Sequence, residues 1–270
     1  MKLSVIFTTY NSPQWLEKVL WGFYFQTFTQ FELIIADDGS SDETRACIQH
    51  FAKKTGMPIK HIWQEDKGFQ KTQILNKALA QCTCDYVVFT DGDCIPRNDF
   101  LAVHYKNREL GKFLSGGYFK LPMKTSQAIK PSHIASGDAF KINWLTEHGL
   151  KSSHKNMKLK AQGMQQFLLN QLTPTKATWN GHNASGWRQD IFAVNGFDER
   201  MQYGGEDREL GERLKNFGIR SKQIRYSAIC LHLDHNREYV EQTMIEANLL
   251  IRKATKLNKC TKTPYGIAKV

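Results

Sequence analysis

The sequence predicts an α/β protein whose first half is a parallel sheet flanked by helices. Strand-sized apolar runs such as Leu3-Ser4-Val5-Ile6-Phe7 and Tyr86-Val87-Val88-Phe89 alternate with segments of helical periodicity. The joints between them are short and marked by Gly, Pro, Asn or Asp, the punctuation of repeated strand–helix units.

Residues 3–8 read as a buried strand. Asn11-Ser12-Pro13 is a cap-plus-proline start signal, so residues 15–25 read as a helix. Residues 31–36 form the second strand, and residues 42–53 a helix capped by Ser41 or Asp42. A third strand spans 59–63. Ile74, Leu75, Ala78 and Leu79 fall at helical spacing within residues 70–80, and residues 85–90 make a fourth strand. From about residue 124 to 176 the pattern blurs among Pro131, Pro174 and scattered Lys and His, as in an insertion or lid. Regularity returns at 207–217, a helix with Leu210, Leu214 and Phe217 on one face and Gly218 as its stop. Residues 224–230 alternate like a strand, and residues 237–255 read as a C-terminal helix. Three regions follow: a sheet-forming half over 1–120, a second half over 121–236, and a helix with a basic tail over 237–270.

The 270 residues are 41% hydrophobic, with 16 Phe and 9 Tyr, which supports a sizeable core and excludes disorder over most of the length. No apolar run is long enough to cross a bilayer. Met1-Lys2 leads directly into the first strand without a signal-peptide pattern, so a cytoplasmic protein is expected. Six cysteines are scattered, and the Cys82/Cys84 spacing matches no zinc finger; reduced thiols are the expectation. The net charge of +11 implies an anionic partner. Positive residues thicken over 151–160 and 252–269 and are interrupted by polar ones, a pattern that fits an anionic membrane surface better than base recognition.

The sharpest chemical signal is Asp91-Gly92-Asp93, directly after the fourth strand. Ligands of open α/β sheets collect outside the carboxyl ends of the strands, so two carboxylates there face a cleft. One is suited to coordinate a divalent ion that holds a diphosphate, the other to reach a ribose hydroxyl. Asp-Gly is also a common turn dipeptide. Context favours the site: the first strand ends in Thr8-Thr9-Tyr10-Asn11 and the second in Asp37-Asp38-Gly39-Ser40-Ser41-Asp42, so three strands deliver polar residues to one edge. Asp42 reads as a helix cap alone.

In these stretches, with Asp66-Lys67-Gly68-Phe69-Gln70-Lys71 and Leu75-Asn76-Lys77-Ala78, the chain resembles family 2 glycosyltransferases of the GT-A fold, a Rossmann-like mixed sheet flanked by helices. The resemblance covers nearly the whole chain. It implies that Thr9, Tyr10, Asp38 and Asp37 line a uridine site, that Lys71 lies near the nucleotide, that Asp91 sits near the ribose and that Asp93 is a metal ligand. Gln70 departs from the family, whose members often carry Arg there.

The second half supplies the catalyst. Asn195-Gly196-Phe197-Asp198-Glu199 and Tyr203-Gly204-Gly205-Glu206-Asp207 resemble the acceptor-side motif of galactosyl- and N-acetylgalactosaminyl-transferring enzymes. Direct displacement at an anomeric carbon needs a carboxylate opposite the leaving UDP, to take the acceptor's proton. Either Glu206 or Asp207 fits, with Asp207 favoured as base and Glu206 as acceptor holder. Both open a helix whose positive end favours the ionised form. His232 and His235 follow a strand after which related enzymes place a metal-binding histidine; His232 is preferred, with Mn²⁺ or Mg²⁺ as the ion. Asn183 and Trp187, in Asn183-Ala184-Ser185-Gly186-Trp187-Arg188, are expected to touch phosphates or acceptor; Trp179 and Trp187 have the shape to stack on sugars, but packing is the better reading for each.

The expectation is therefore a metal-dependent inverting transferase using a UDP-sugar and a glycan or lipid-linked acceptor. Its setting would be lipopolysaccharide or capsule synthesis, peripheral at the inner face of the plasma membrane. A sugar nucleotidyltransferase or nucleotide-sugar hydrolase is the rival, but the first wants a Gly-rich basic loop that Thr9-Tyr10-Asn11 is not. A basic nucleic-acid-binding module explains the charge and leaves the strand-end carboxylates unexplained.

Overall fold

The computed structural model describes residues 2–236 and 240–268. Strands β1 (Leu3–Thr9), β2 (Phe31–Asp37), β3 (Ile59–Trp63) and β4 (Tyr86–Asp91) are joined by helices α1 (Pro13–Tyr24), α2 (Asp42–Thr55) and α3 (Lys71–Ala80). Then come β5 (Cys94–Pro96), α4 (Phe100–Asn107), β6 (Lys112–Ser115) and β7 (Gly117–Lys120). The stretch that lacks periodicity holds five short helices: α5 (Met123–Ala128), α6 (Pro131–Ala135), α7 (Ile142–Glu147), α8 (Met157–Lys160) and α9 (Gly163–Leu172). The chain continues through β8 (Ala184–Trp187), α10 (Arg188–Ala193), α11 (Glu206–Asn216), β9 (Arg220–Gln223), β10 (Ile229–His232) and α12 (Gln242–Leu257).

Seven strands form the central sheet in the order β3-β2-β1-β4-β8-β6-β9, and β8 alone runs against its neighbours. Strands from both sides of residue 120 thus share one sheet. Its middle strands are buried on both faces, and alternate residues enter different cores. Leu3, Val5 and Phe7 pack with α1 and α2, whereas Ile6, Ile34 and Phe89 pack with α3 and α11. A second sheet, β5-β10-β7, sits beside the exit of β4.

Two expectations are corrected. Residues 224–230 are not one strand: Ile224 O accepts from Ser227 N and Ala228 N, which makes a tight turn before β10. The buried Ile224 and Ala228 imitate a strand's alternation because the turn also hides apolar side chains. The C-terminal helix begins at Gln242 rather than at residue 237, which lies outside the described residues.

At the amino ends of the strands, Glu32 ties four segments together. It accepts from Ser4 Oγ (2.5 Å), Thr83 N (2.6 Å), Thr83 Oγ1 (2.9 Å) and Lys60 Nζ (2.7 Å). Burial alone would raise its carboxyl, but these donors outweigh that and hold it at about 2. Glu32→Ala leaves all four donors without their acceptor and should cost about 3 kcal/mol at neutral pH, read by denaturant unfolding. Because the folded pKa is depressed, this contribution is present above the ordinary 4.5 and should fade as pH falls toward about 2.

Candidate active site

The site is built from the carboxyl ends of β1 and β4 and the start of α11. Thr8 and Asp91 lie side by side in register, and Thr8 Oγ1 donates to Asp91 Oδ1 (3.1 Å). Gly92 follows with its N–H on Thr8 O (2.7 Å), and a Cβ on it would stand 2.6 Å from that oxygen. Only glycine lets the chain close so tightly against β1 and send Asp93 on toward the second sheet.

Lys71, the first residue of α3, reaches into the acids. Its Nζ donates to Asp91 Oδ1 (2.8 Å) and lies 3.9 Å from Glu206 Oε1. Gly204 and Gly205, both at positive φ (112° and 88°), turn the chain into α11, and Gly204 N donates to Glu206 Oε2 (3.1 Å). Asp207 accepts from Gly181 N (2.8 Å) and Arg208 N (2.6 Å). Burial opposes the Asp91 charge, yet Lys71 holds that carboxyl down at about 2. Burial and then the Asp207 charge push Glu206 up to about 7, and burial also raises Asp207. The ionised form expected at a helix start is therefore not what governs here. A helix dipole contributes about 0.3–1 kcal/mol, less than the desolvation of a carboxylate this deeply buried.

Asp93 heads a second group. Antiparallel pairing sets His232 of β10 opposite Cys94, beside Asp93. His232 Nδ1 donates to Leu233 O (2.8 Å) and His235 Nδ1 to Asn236 O (2.8 Å). A carbonyl only accepts, so each ring carries its proton on Nδ1 and turns Nε2 toward Asp93 Oδ2, at 3.4 and 2.9 Å; in the neutral ring that nitrogen is a lone pair. Lone pairs aimed at a carboxylate need a proton or a cation between them. An Asp93 oxygen beside imidazole nitrogens, each ring fixed by its other nitrogen, is a donor set that can hold a divalent cation. Cys94 Sγ lies in the same cluster. Burial raises its thiol well above the usual range, and Sγ donates to Asp93 Oδ1 (3.4 Å). Both histidines converge on Asp93, where sequence reasoning preferred His232.

On the side of β2, Asp38 accepts from Gln64 Nε2 (2.6 Å) and Gln70 N (2.9 Å), and burial raises its carboxyl to about 6. Thr9 is buried, and its carbonyl accepts from Asp38 N. Tyr10 is half-exposed and donates to Asp66 Oδ2 (2.8 Å). Asp37 does not line a pocket. It is wholly buried, with one oxygen on Ser40 N (2.9 Å) and the other on His61 Nε2 (2.8 Å), and so shapes the turn after β2.

Two expected contacts are absent. Asn183 is fully buried: Nδ2 donates to Gly117 O and Ala228 O, and Oδ1 accepts from His104 Nε2. It joins the two sheets. Trp187 pairs with Tyr86 at the far end of β4 from Asp91, donating to Glu109 O. Trp179 is fully buried between Phe89 and Phe113. Sequence reasoning missed His182, whose ring meets Tyr118 edge-on (4.6 Å), as Tyr118 also meets His232 (5.2 Å). Burial lowers its imidazole to about 4, so it is neutral at ordinary pH. Its one signal was a position just before the Asn183 stretch.

Comparison with known proteins agrees with this geometry. The model of the family "Glycosyl transferase family 2" matches residues 4–170. Chondroitin synthase of Pasteurella multocida is 28% identical over 236 residues, covering 78% of this chain and 23% of its own length. A validoxylamine A glucosyltransferase of Streptomyces hygroscopicus is 26% identical over 262 residues, 93% of this chain and 60% of its own. The chain thus spans less than two thirds of either relative. Among solved structures, the mannosyltransferase PcManGT of Pyrobaculum calidifontis with GDP-Man and Mn²⁺ superposes with a TM-score of 0.59 at 19% identity, over 96% of this chain and 62% of that one. TarS of S. aureus with UDP-GlcNAc gives 0.60 at 17% identity, over 96% and 69%. The fold is that of GT-A glycosyltransferases, and the chain belongs to glycosyl transferase family 2.

Proposed function

We propose that this chain is an inverting, divalent-cation-dependent transferase that moves a hexose or N-acetylhexosamine from a UDP-sugar to a glycan or lipid-linked glycan acceptor. The observation that carries this reading is the pairing of two acid groups with opposite environments. Asp93 faces the Nε2 atoms of two imidazoles, while Glu206 and Asp207 share a pocket with Lys71. A cation at Asp93, His232 and His235 supplies charge neutralisation for a departing diphosphate. Asp91, kept ionised by Lys71, offers an acceptor for a ribose hydroxyl. Thr9, Tyr10 and Asp38 surround the base, and the raised Asp38 carboxyl is suited to a uracil imide.

Asp207 takes the acceptor's proton at a carboxylate oxygen, oriented by the Gly181 and Arg208 N–H groups, while Glu206 holds the acceptor. Residues 1–120 form the donor half, 121–236 the acceptor half and 237–270 a helix with a basic tail. The relatives' names, chondroitin synthase and poly(ribitol-phosphate) β-N-acetylglucosaminyltransferase, support a polymeric acceptor, and we place the reaction in bacterial lipopolysaccharide or capsule synthesis. The net charge of +11 supports contact with an anionic membrane surface on the cytoplasmic side. No described helix is long and apolar enough to cross a membrane.

Calorimetric titration should show UDP binding more tightly than GDP, CDP or ADP, and more tightly with Mn²⁺ than in EDTA. Asp93→Ala should lose both the cation effect and transfer, and equal affinities for the four diphosphates would overturn the uridine assignment.

Asp207→Asn should bind UDP-sugar like the unmodified chain while turnover falls about a hundredfold or more. Glu206→Gln should raise the acceptor's KM more than it lowers kcat. Exchanged phenotypes would reverse the two roles.

A further inference from the structure

Helix α9 is built inside out. Two of its polar residues face the protein, while Gln165 and Gln171 are exposed: Asn170 donates to Ser227 Oγ (2.9 Å) and accepts from Tyr226 N (3.0 Å), and Gln166 donates to Ala161 O (2.8 Å). Its apolar residues face outward at helical spacing, with Met164, Phe167, Leu168 and Leu172 exposed by 72%, 57%, 48% and 76%. An amphipathic helix normally buries that stripe. Four large apolar side chains on one exposed face form the kind of patch that marks an interaction surface.

Charge says what the partner is. Residues 148–189 contain no Asp or Glu, and Lys151, Lys155, Lys160 and Lys176 within that span are exposed. Lys155 and Lys160 lie within eight residues before the helix, and Lys176 follows it. An apolar stripe flanked in sequence by lysines, in a span free of acids, complements anionic headgroups over hydrocarbon; a protein surface would more often supply pairing acids of both signs. The anchor of the helix also bears on the site. Ser227 and Tyr226 belong to the turn before β10, which carries His232, and nine residues after Leu172 the chain reaches Gly181, which holds Asp207.

We propose that the outer face of α9, with Lys155, Lys160 and Lys176, is the surface by which this chain lies on an anionic bilayer, bringing the acceptor side of the cleft to lipid-linked substrates. The inference rests on the membrane-apposed reading above and says which surface does the docking.

Sedimentation with vesicles of phosphatidylcholine, alone or mixed equally with phosphatidylglycerol, tests it. The chain should pellet with the anionic vesicles, stay in solution with the neutral ones, and release as salt is raised. Phe167→Ser with Leu168→Ser, and separately Lys155→Glu with Lys160→Glu, should each weaken binding about tenfold or more. UDP affinity and thermal melting should be unchanged in both, since these side chains are exposed. No binding to anionic vesicles, or variants that bind like the unmodified chain, would overturn the proposal. So would a dimer in sedimentation equilibrium that Phe167→Ser with Leu168→Ser abolishes, since the face would then join two copies. Failure of Mn²⁺-dependent UDP binding alongside intact vesicle binding would instead sink the donor reading and leave the docking surface standing.

Discussion

One buried cation holds the site together. Lys71 Nζ sits among Asp91, Glu206 and Asp207, and the three charges together keep it protonated despite burial. Without it, carboxylates from elements more than a hundred residues apart would repel within one pocket. The fold is arranged so that this closure happens. Helix α3, which begins with Lys71, is clamped to the segment leading into α11: Thr72 Oγ1 donates to Met201 O (3.0 Å), and Asn76 bonds the backbone of Phe197 in both directions. Asn195 and Asp198 of the same segment are tied in turn to Thr263. The Asn-Gly-Phe-Asp motif is thus a structural joint that sets how far α11 advances toward β4.

The same cation explains why the acids differ. Asp91 touches Lys71 at 2.8 Å and stays ionised, whereas Glu206 at 3.9 Å feels less of its charge and more of its neighbour Asp207. Coulomb attraction weakens with distance while the desolvation penalty of a buried carboxylate does not, so a difference of about an ångström helps to separate the Asp91 anion from a Glu206 carboxyl whose charge is opposed by burial and by Asp207. One positive charge facing three negative ones leaves the pocket with an affinity for protons. Such a pocket is suited to receive one from an acceptor hydroxyl.

Much of this was legible because it is encoded locally. Uniformly apolar strands, proline and glycine punctuation, and acids directly after a strand report on a sheet edge from a few residues of sequence, and Asp91 and Asp93 were read that way, whereas Glu206 and Asp207 were reached through the resemblance of their motif to an acceptor-side one. What failed was non-local. Whether Asp37 faces a ligand or a turn depends on His61, which comes from β3. Asn183 reads as a polar loop residue until two sheets close around it. Trp179 and Trp187 have the composition of sugar platforms, and only the strand order sends one into the core and the other to the far end of β4. The short helices between β7 and β8 escaped because each has too few residues to display a period.

The two ends of the sheet divide the labour of the fold. At the amino ends, Glu32 binds donors from β1, β3 and the turn before β4 and needs no partner from outside the protein. At the carboxyl ends the titratable groups converge, with two imidazoles on Asp93 and several acids around one lysine. The small second sheet makes that convergence possible. Because β10 pairs with β5 so that His232 stands opposite Cys94, a ligand from the last strand lands beside the first acid after β4, although 138 residues separate Cys94 from His232 in the chain. A rigid floor at one end is what allows the other to hold groups in an arrangement that water alone would not favour.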